Sequence, residues 1–269
     1  MAGQQIVFLV PGFFGFTSVG AVSYFKDVET ALADALARRG VKARIVRCAT
    51  QPTASIPRRA DRLRSQVIEH GGLQARALHF VGHSTGGLDV RLLLTPGLKV
   101  APGRTGERIA MRTRTAISVT TPHHGTPLAN HFLTLQGHTL LLLVSALATS
   151  GPSRSALLAA TKAVALAAQL DDWTGVENSL LDRVAAKALK ALREDAGKSA
   201  WEFLEGIHQD QGAVLQLTPE GIALFDAAVA DHPGIDYGCV AAGVPAPRER
   251  FSAGALLEPE RIALRALFR

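Results

Sequence analysis

The sequence is poor in sulfur, in aromatic side chains and in long apolar runs. Cysteine occurs twice in 269 residues, as Cys48 and Cys239. Two cysteines exclude a disulfide-stapled scaffold. Both sit in or beside apolar, strand-like runs, where a free thiol is expected to serve as a small core residue. Aromatic residues make up only 6% of the chain, and no basic patch is interleaved with them. A nucleic-acid surface is therefore not expected, although the net charge is +6 and the isoelectric point about 9.7. The densest basic cluster, Arg58, Arg59, Arg62 and Arg64, is interrupted by Asp61 and reads as the solvated face of a helix.

No stretch reaches the roughly 18 apolar residues that a transmembrane helix requires. The opening MAGQQIVFLVPGFFGF has no basic n-region and enters a strand by residue 5, so no secretory signal is expected and the chain reads as cytoplasmic. No group of His, Cys, Asp or Glu shows metal-ligand spacing, and neither a metal nor another cofactor is implied.

What is present suits a globular chain. Hydrophobic residues make up 47% and charged ones 19%, enough for a sizeable core in one large domain or one domain with an insertion. Gln5 to Val10 is an apolar run closed by Pro11-Gly12, which predicts a buried strand. Tyr24 to Arg39 carries apolar residues at helical spacing, with Gly40 as its stop. Val41 to Val46 predicts a second strand, and Ile56 to Glu69 a helix with Pro57 in its first turn. Further strands are expected at Ala77 to Val81 and Thr115 to Thr120, with a helix from Gly87 to Leu94 between them. Repeated β-α-β units imply an α/β fold with a mostly parallel sheet flanked by helices.

From about Leu128 the alternation stops. Thr139 to Ala148 and Ser155 to Leu170 are largely apolar, Gly151-Pro152 separates them, and Ser179 to Arg193 is amphipathic. These predict a helical insertion, either a cap buried on the core or a lid over an apolar substrate. Gln216 to Ala230 predicts one more helix and Ile235 to Ala242 one more strand. The expected organisation is core at 1–127, lid or cap at 128–215 and the second part of the core at 216–269.

One stretch carries chemistry. In VGHSTGG, residues 81–87, Ser84 stands between Gly82 and Gly86, after a predicted strand and before a predicted helix. That is the context of a nucleophile elbow, whose strained turn needs small neighbours. A serine hydroxyl is a weak nucleophile without a base, and the oxyanion it generates needs two fixed donors. The backbone N–H of Thr85 at the helix start is one candidate. The N–H of Phe13, in the Pro11-Gly12-Phe13 loop after the first strand, is the other.

Together, FLVPGFFGF, RRADRLRSQV, FVGHSTGGLDVR, VTTPHHGTPLA, QLTPEGIALFDAAV and IDYGCVAAG run in order from residue 7 to residue 243. In these the chain resembles the α/β-hydrolase superfamily, and within it the bacterial triacylglycerol lipases and esterases. The resemblance implies Ser84 as nucleophile, Phe13 and Thr85 as oxyanion donors, and the region after Leu128 as a lid. It departs from the pattern at Pro11-Gly12, where such lipases commonly have His-Gly.

The order of the fold is serine, then acid, then histidine. His123 and His124 come too early, His131 and His138 fall in the expected lid, and His79 and His83 flank the elbow as packed or bonded histidines. Residues 244–269 hold Glu249, Glu258 and Glu260 but neither aspartate nor histidine. Either His208 or His232 is the base in an unusual order, or the chain ends before the acid and base. The second is favoured, because the motifs match until they stop.

The expected activity is hydrolysis of an apolar carboxylic ester or lipid through an acyl-enzyme, with transient lipid-surface contact through the lid. Polyester depolymerases, thioesterases and acyltransferases share this machinery. The alternative is a non-catalytic hydrolase-fold protein that binds a lipid or a protein partner.

Overall fold

The computed structural model describes residues 4–13, 18–19, 22–23, 25–97, 105–133, 210 and 212–243. The chain divides into two units. The first comprises residues 1–18, 22–130 and 206–242, and the second comprises 19–21, 131–205 and 243–269. Nearly all of the second lies outside the described residues, and with it the predicted helices between Thr139 and Arg193.

The first unit is an α/β fold. β1 (Gln5–Val10) is followed by the two-residue strands β2 (Ser18–Val19) and β3 (Val22–Ser23), then by α1 (Lys26–Arg38) and β4 (Ala43–Arg47). α2 (Ile56–Glu69) leads to β5 (Ala77–His83), and α3 (Thr85–Leu94) and α4 (Thr105–Arg112) lead to β6 (Thr113–Val119). α5 (Pro127–Phe132), α6 (Gly212–Gln216) and α7 (Pro219–Ala228) precede β7 (Asp236–Val240). The strands β4-β1-β5-β6-β7 form one sheet in that order, and every pairing in it is parallel.

β1 lies inside the sheet and is apolar on both faces, as parallel strands covered by helices are. Ile6, Phe8 and Val10 join a cluster with Leu63, Leu78, Phe80 and Leu94. Val7 and Leu9 point the other way, against Phe25 with Leu32 and Leu36. Phe8 stacks on Phe80 of the neighbouring strand at 5.4 Å between centroids. Burying each ring contributes roughly 2–3 kcal/mol.

α2 starts where Pro57 predicts, but its buried face is not wholly apolar. Ile56, Ala60, Leu63 and Val67 share that face with Arg59 and Gln66. The expectation that the arginine cluster is a solvated face is thus corrected at Arg59, whose side chain is 0% exposed. Position 59 is one helical turn from Ile56 and Leu63 and must face inward with them. Arg58 and Arg62 do face solvent, and Arg64 pairs with Asp61 at 2.8 Å.

The predicted helix 216–230 is α7, which spans residues 219–228 and is preceded by the separate helix α6. Thr218 takes extended backbone, its hydroxyl accepts the Gly221 N–H at 3.0 Å, and Pro219 opens α7. The expectation for the thiols holds for Cys48, which is buried, and fails for Cys239, which is exposed on β7. β7 pairs only with β6 among the described residues.

Candidate active site

β5 passes into α3 through one residue. Ser84 has φ 53° and ψ −128°, a backbone conformation that L side chains rarely adopt, and the helix begins at Thr85. Its N–H donates to the Val119 carbonyl of β6 at 2.9 Å, which anchors the turn to the neighbouring strand. The side chain is half-buried. Strain of this kind costs of order 1–3 kcal/mol and persists only where the surroundings enforce it.

Two close approaches do the enforcing. A Cβ on Gly86 would lie 2.4 Å from the Val10 carbonyl oxygen and 2.8 Å from that of Pro11, so only glycine lets α3 start this near the end of β1. A Cβ on Gly12 would lie 2.5 Å from Ser84 Cβ and 3.0 Å from its Oγ, which places the loop after β1 directly against the Ser84 side chain. Gly82 serves the same closeness from within β5, where an added Cβ would meet the Gly86 carbonyl at 2.6 Å.

Thr85 is 1% exposed. As the first residue of a helix, its N–H has no intrahelical acceptor. Phe13 is partly buried and packs on the cluster of Ile56, Leu88, Leu217 and Ile222. The residues named from the sequence (Phe13, Gly82, Ser84, Thr85 and Gly86) all lie within this junction of β1, β5 and α3.

His79, His123 and His232 are bonded away from Ser84. His79 Nδ1 meets Thr115 Oγ1 at 2.8 Å, and its Nε2 meets Gln5 Oε1 at 3.0 Å. Burial and then the nearby Arg114 lower its pKa, and burial alone lowers that of His83. His232 Nδ1 accepts the Gly234 N–H at 3.1 Å within its own loop. His123 Nδ1 lies 3.4 Å from Arg91 Nη1, and its pKa is lowered, first by burial and then by Arg91. His138, His208, Glu249, Glu258 and Glu260 lie outside the described residues.

Beside β6 and β7 is a cavity of about 370 Å³, lined by residues that include Arg91, Ser118, His123, Asp226, Tyr237 and Cys239. Ser84, Phe13 and Thr85 are not in its lining. Arg91 is held there by Asp226 at 2.9 Å and Asp231 at 3.5 Å, and lies 5.7 Å from the centre of the Phe225 ring. Among the described residues no three His, Cys, Asp or Glu side chains are placed to hold a metal ion. None of their helices is long and apolar enough to cross a membrane.

Two residues beside the elbow escaped the sequence reading. Arg59 and Asp89 are both 0% exposed and joined at 2.8 Å through Nη2 and Oδ2. Arg59 Nε adds 3.1 and 3.0 Å contacts to the two carboxylate oxygens. Burial pushes the Asp89 carboxyl up to about 6 against the lowering pull of Arg59. The signal was present: one charge on the apolar stripe of α2 and another amid Leu88, Val90 and Leu92.

No protein-family model matches the chain, and no curated protein matches it. Among solved structures it is similar to the mature form of a lipase from Bacillus licheniformis, at 17% identity and a TM-score of 0.47 over 90% of this chain. It is also similar to the lipase of Staphylococcus hyicus, at 17% identity and a TM-score of 0.47 over 86% of this chain. EstA from Clostridium botulinum matches at 16% identity and a TM-score of 0.49 over 88% of this chain. The chain spans 66%, 65% and 60% of those three structures, respectively, less than two thirds of each.

Proposed function

We propose that this chain is a carboxylic ester hydrolase acting on apolar acyl esters, with Ser84 as its nucleophile. The observation that supports the reading most is the backbone of Ser84, strained at φ 53° between a parallel strand and a helix. A fold has no structural need for a serine in that conformation, whereas a half-buried, preorganised hydroxyl has a catalytic use.

In the proposed mechanism Ser84 Oγ attacks the ester carbonyl carbon while a general base accepts its proton. The oxyanion takes hydrogen bonds from the Phe13 and Thr85 N–H groups. Collapse expels the alcohol, which takes back the proton, and leaves an acyl group on Ser84. Water, deprotonated by the same base, releases the acid and restores the serine. Gly82, Gly86 and Gly12 keep the walls of the turn close, as two donors that share one oxygen require. No cofactor enters these steps.

A second reading is a non-catalytic hydrolase-fold protein that binds a lipid or a protein partner. It is favoured by the ring of His232, whose Nδ1 is committed to Gly234 in its own loop. Turnover of p-nitrophenyl esters of short and long acids separates the two. The hydrolase reading expects turnover that Ser84→Ala cuts by several orders of magnitude. The second reading expects lipid binding with no Ser84-dependent turnover.

A further inference from the structure

We infer that Arg59, held by Asp89, is a positioning residue that sets the direction of the Gly12–Phe13 peptide and hence of the Phe13 N–H. The inference rests on the proposed function for its consequence in catalysis, but its geometry stands on Arg59 alone.

A guanidinium taken wholly out of water is costly unless its donors are satisfied, so its partners define its task. Arg59 Nη1 donates to the Gln51 carbonyl at 2.7 Å. Nη2 donates to the Pro11 carbonyl at 2.9 Å and the Gly12 carbonyl at 3.2 Å. Nε and Nη2 meet the Asp89 carboxylate. One side chain on α2 thereby ties the loop after β1 and the loop after β4 to α3, the helix that follows Ser84.

The peptide plane carries the rest. In a planar trans peptide the C=O and N–H point to opposite sides. With the Gly12 carbonyl turned to Arg59, the N–H of Phe13 is turned away from it. The Gly12 Cα of the same peptide lies against Ser84, as the 2.5 Å approach of an added Cβ shows. A flip of this peptide would exchange donor for acceptor at the place where an oxyanion is to be bound.

A merely structural ion pair makes a different demand. Replacing both partners of a buried pair with apolar residues of similar volume is often neutral or stabilising. Three backbone carbonyls, by contrast, need a donor with several N–H groups in a fixed fork, which arginine has and lysine lacks.

The test uses the full chain, wild type against Arg59→Lys and against Arg59→Met/Asp89→Leu. The Phe13 amide is observed through ¹⁵N-phenylalanine labelling and residual dipolar couplings. We expect the Phe13 N–H vector to reorient or average in both variants while the thermal transition remains cooperative. In ester turnover we expect kcat to fall about 10- to 100-fold, below the loss for removing an oxyanion donor outright, with KM little changed. Arg59→Lys keeps the charge on Asp89 and serves where the apolar pair fails to fold. An unaltered Phe13 N–H vector in Arg59→Lys overturns the inference whatever the kinetics show. Turnover that survives Ser84→Ala overturns the proposed function instead and leaves the amide measurement to decide the role of Arg59.

Discussion

Gly12 and Ser84 are in contact across the gap between two neighbouring parallel strands, with room for no side chain on the glycine. A methyl group there would lie 2.5 Å from Ser84 Cβ and 2.9 Å from the His83 carbonyl oxygen. Neither is the end of a flexible side chain, so the loop after β1 must retreat. Gly12→Ala is expected to lower stability by about 1–3 kcal/mol, the usual cost of overpacking. It should slow phosphonylation of Ser84 by roughly 100-fold, as loss of one oxyanion donor does. Urea unfolding and labelling kinetics check the two effects separately; a variant with wild-type rates would mean that the loop does not serve Ser84.

The strain at Ser84 makes a prediction independent of any activity. Glycine adopts positive φ at little cost, whereas alanine keeps the steric conflict of serine. Ser84→Gly is therefore expected to be more stable than Ser84→Ala by about 1 kcal/mol, although glycine ordinarily destabilises through the unfolded chain. Thermal unfolding of the two variants in parallel decides it. Equal or reversed stabilities would show that the turn relaxes.

Asp89 predicts a pH dependence with a definite sign. Its carboxyl titrates at about 6 in the folded protein, raised first by burial and held back by Arg59, against about 3.9 in an unfolded chain. The folded state thus binds more protons between these values, and stability falls as pH rises through that window. The contribution of this group is full below about pH 4 and lost above about pH 6, an effect of roughly 2–3 kcal/mol. In Asp89→Asn that component should vanish, so the wild-type-minus-variant difference, followed by urea unfolding from pH 4 to 7, is expected to slope downward. A flat difference would contradict the assignment.

The thiols should differ sharply. Cys48 is fully buried, and burial pushes its pKa up to about 12, whereas Cys239 is exposed on β7. A disulfide reagent is expected to modify Cys239 promptly in the folded chain and Cys48 only after denaturation. Prompt modification of Cys48 would mean that the core beside α2 opens readily.

How much of this was legible in sequence follows from where local and tertiary signals agree. β1 was read to the residue because an apolar run ends at Pro11-Gly12, and α2 because Pro57 and a clean stripe mark it. α3 was placed two residues late, since Gly86-Gly87 looks like a turn. The turn is made instead by Ser84 alone, through a positive φ that no propensity foretells. α4 was missed because only Ile109 and Ala110 of its eight residues are buried, too few for a visible period. Arg59 departs from expectation for a different reason: charge ordinarily means solvent, and its partner Asp89 lies 30 residues away. Long-range pairing of that kind marks the local pattern only as a lone charge on an apolar face, whereas the Ser84 motif combines several local marks in one stretch.

The most direct measurement of the central claim is labelling of the full chain with a fluorophosphonate, followed by peptide mass mapping, in wild type and Ser84→Ala. A single phosphonyl adduct is expected on the peptide containing Ser84 in wild type and none in the variant. An adduct on another serine, or labelling undiminished in Ser84→Ala, would contradict it.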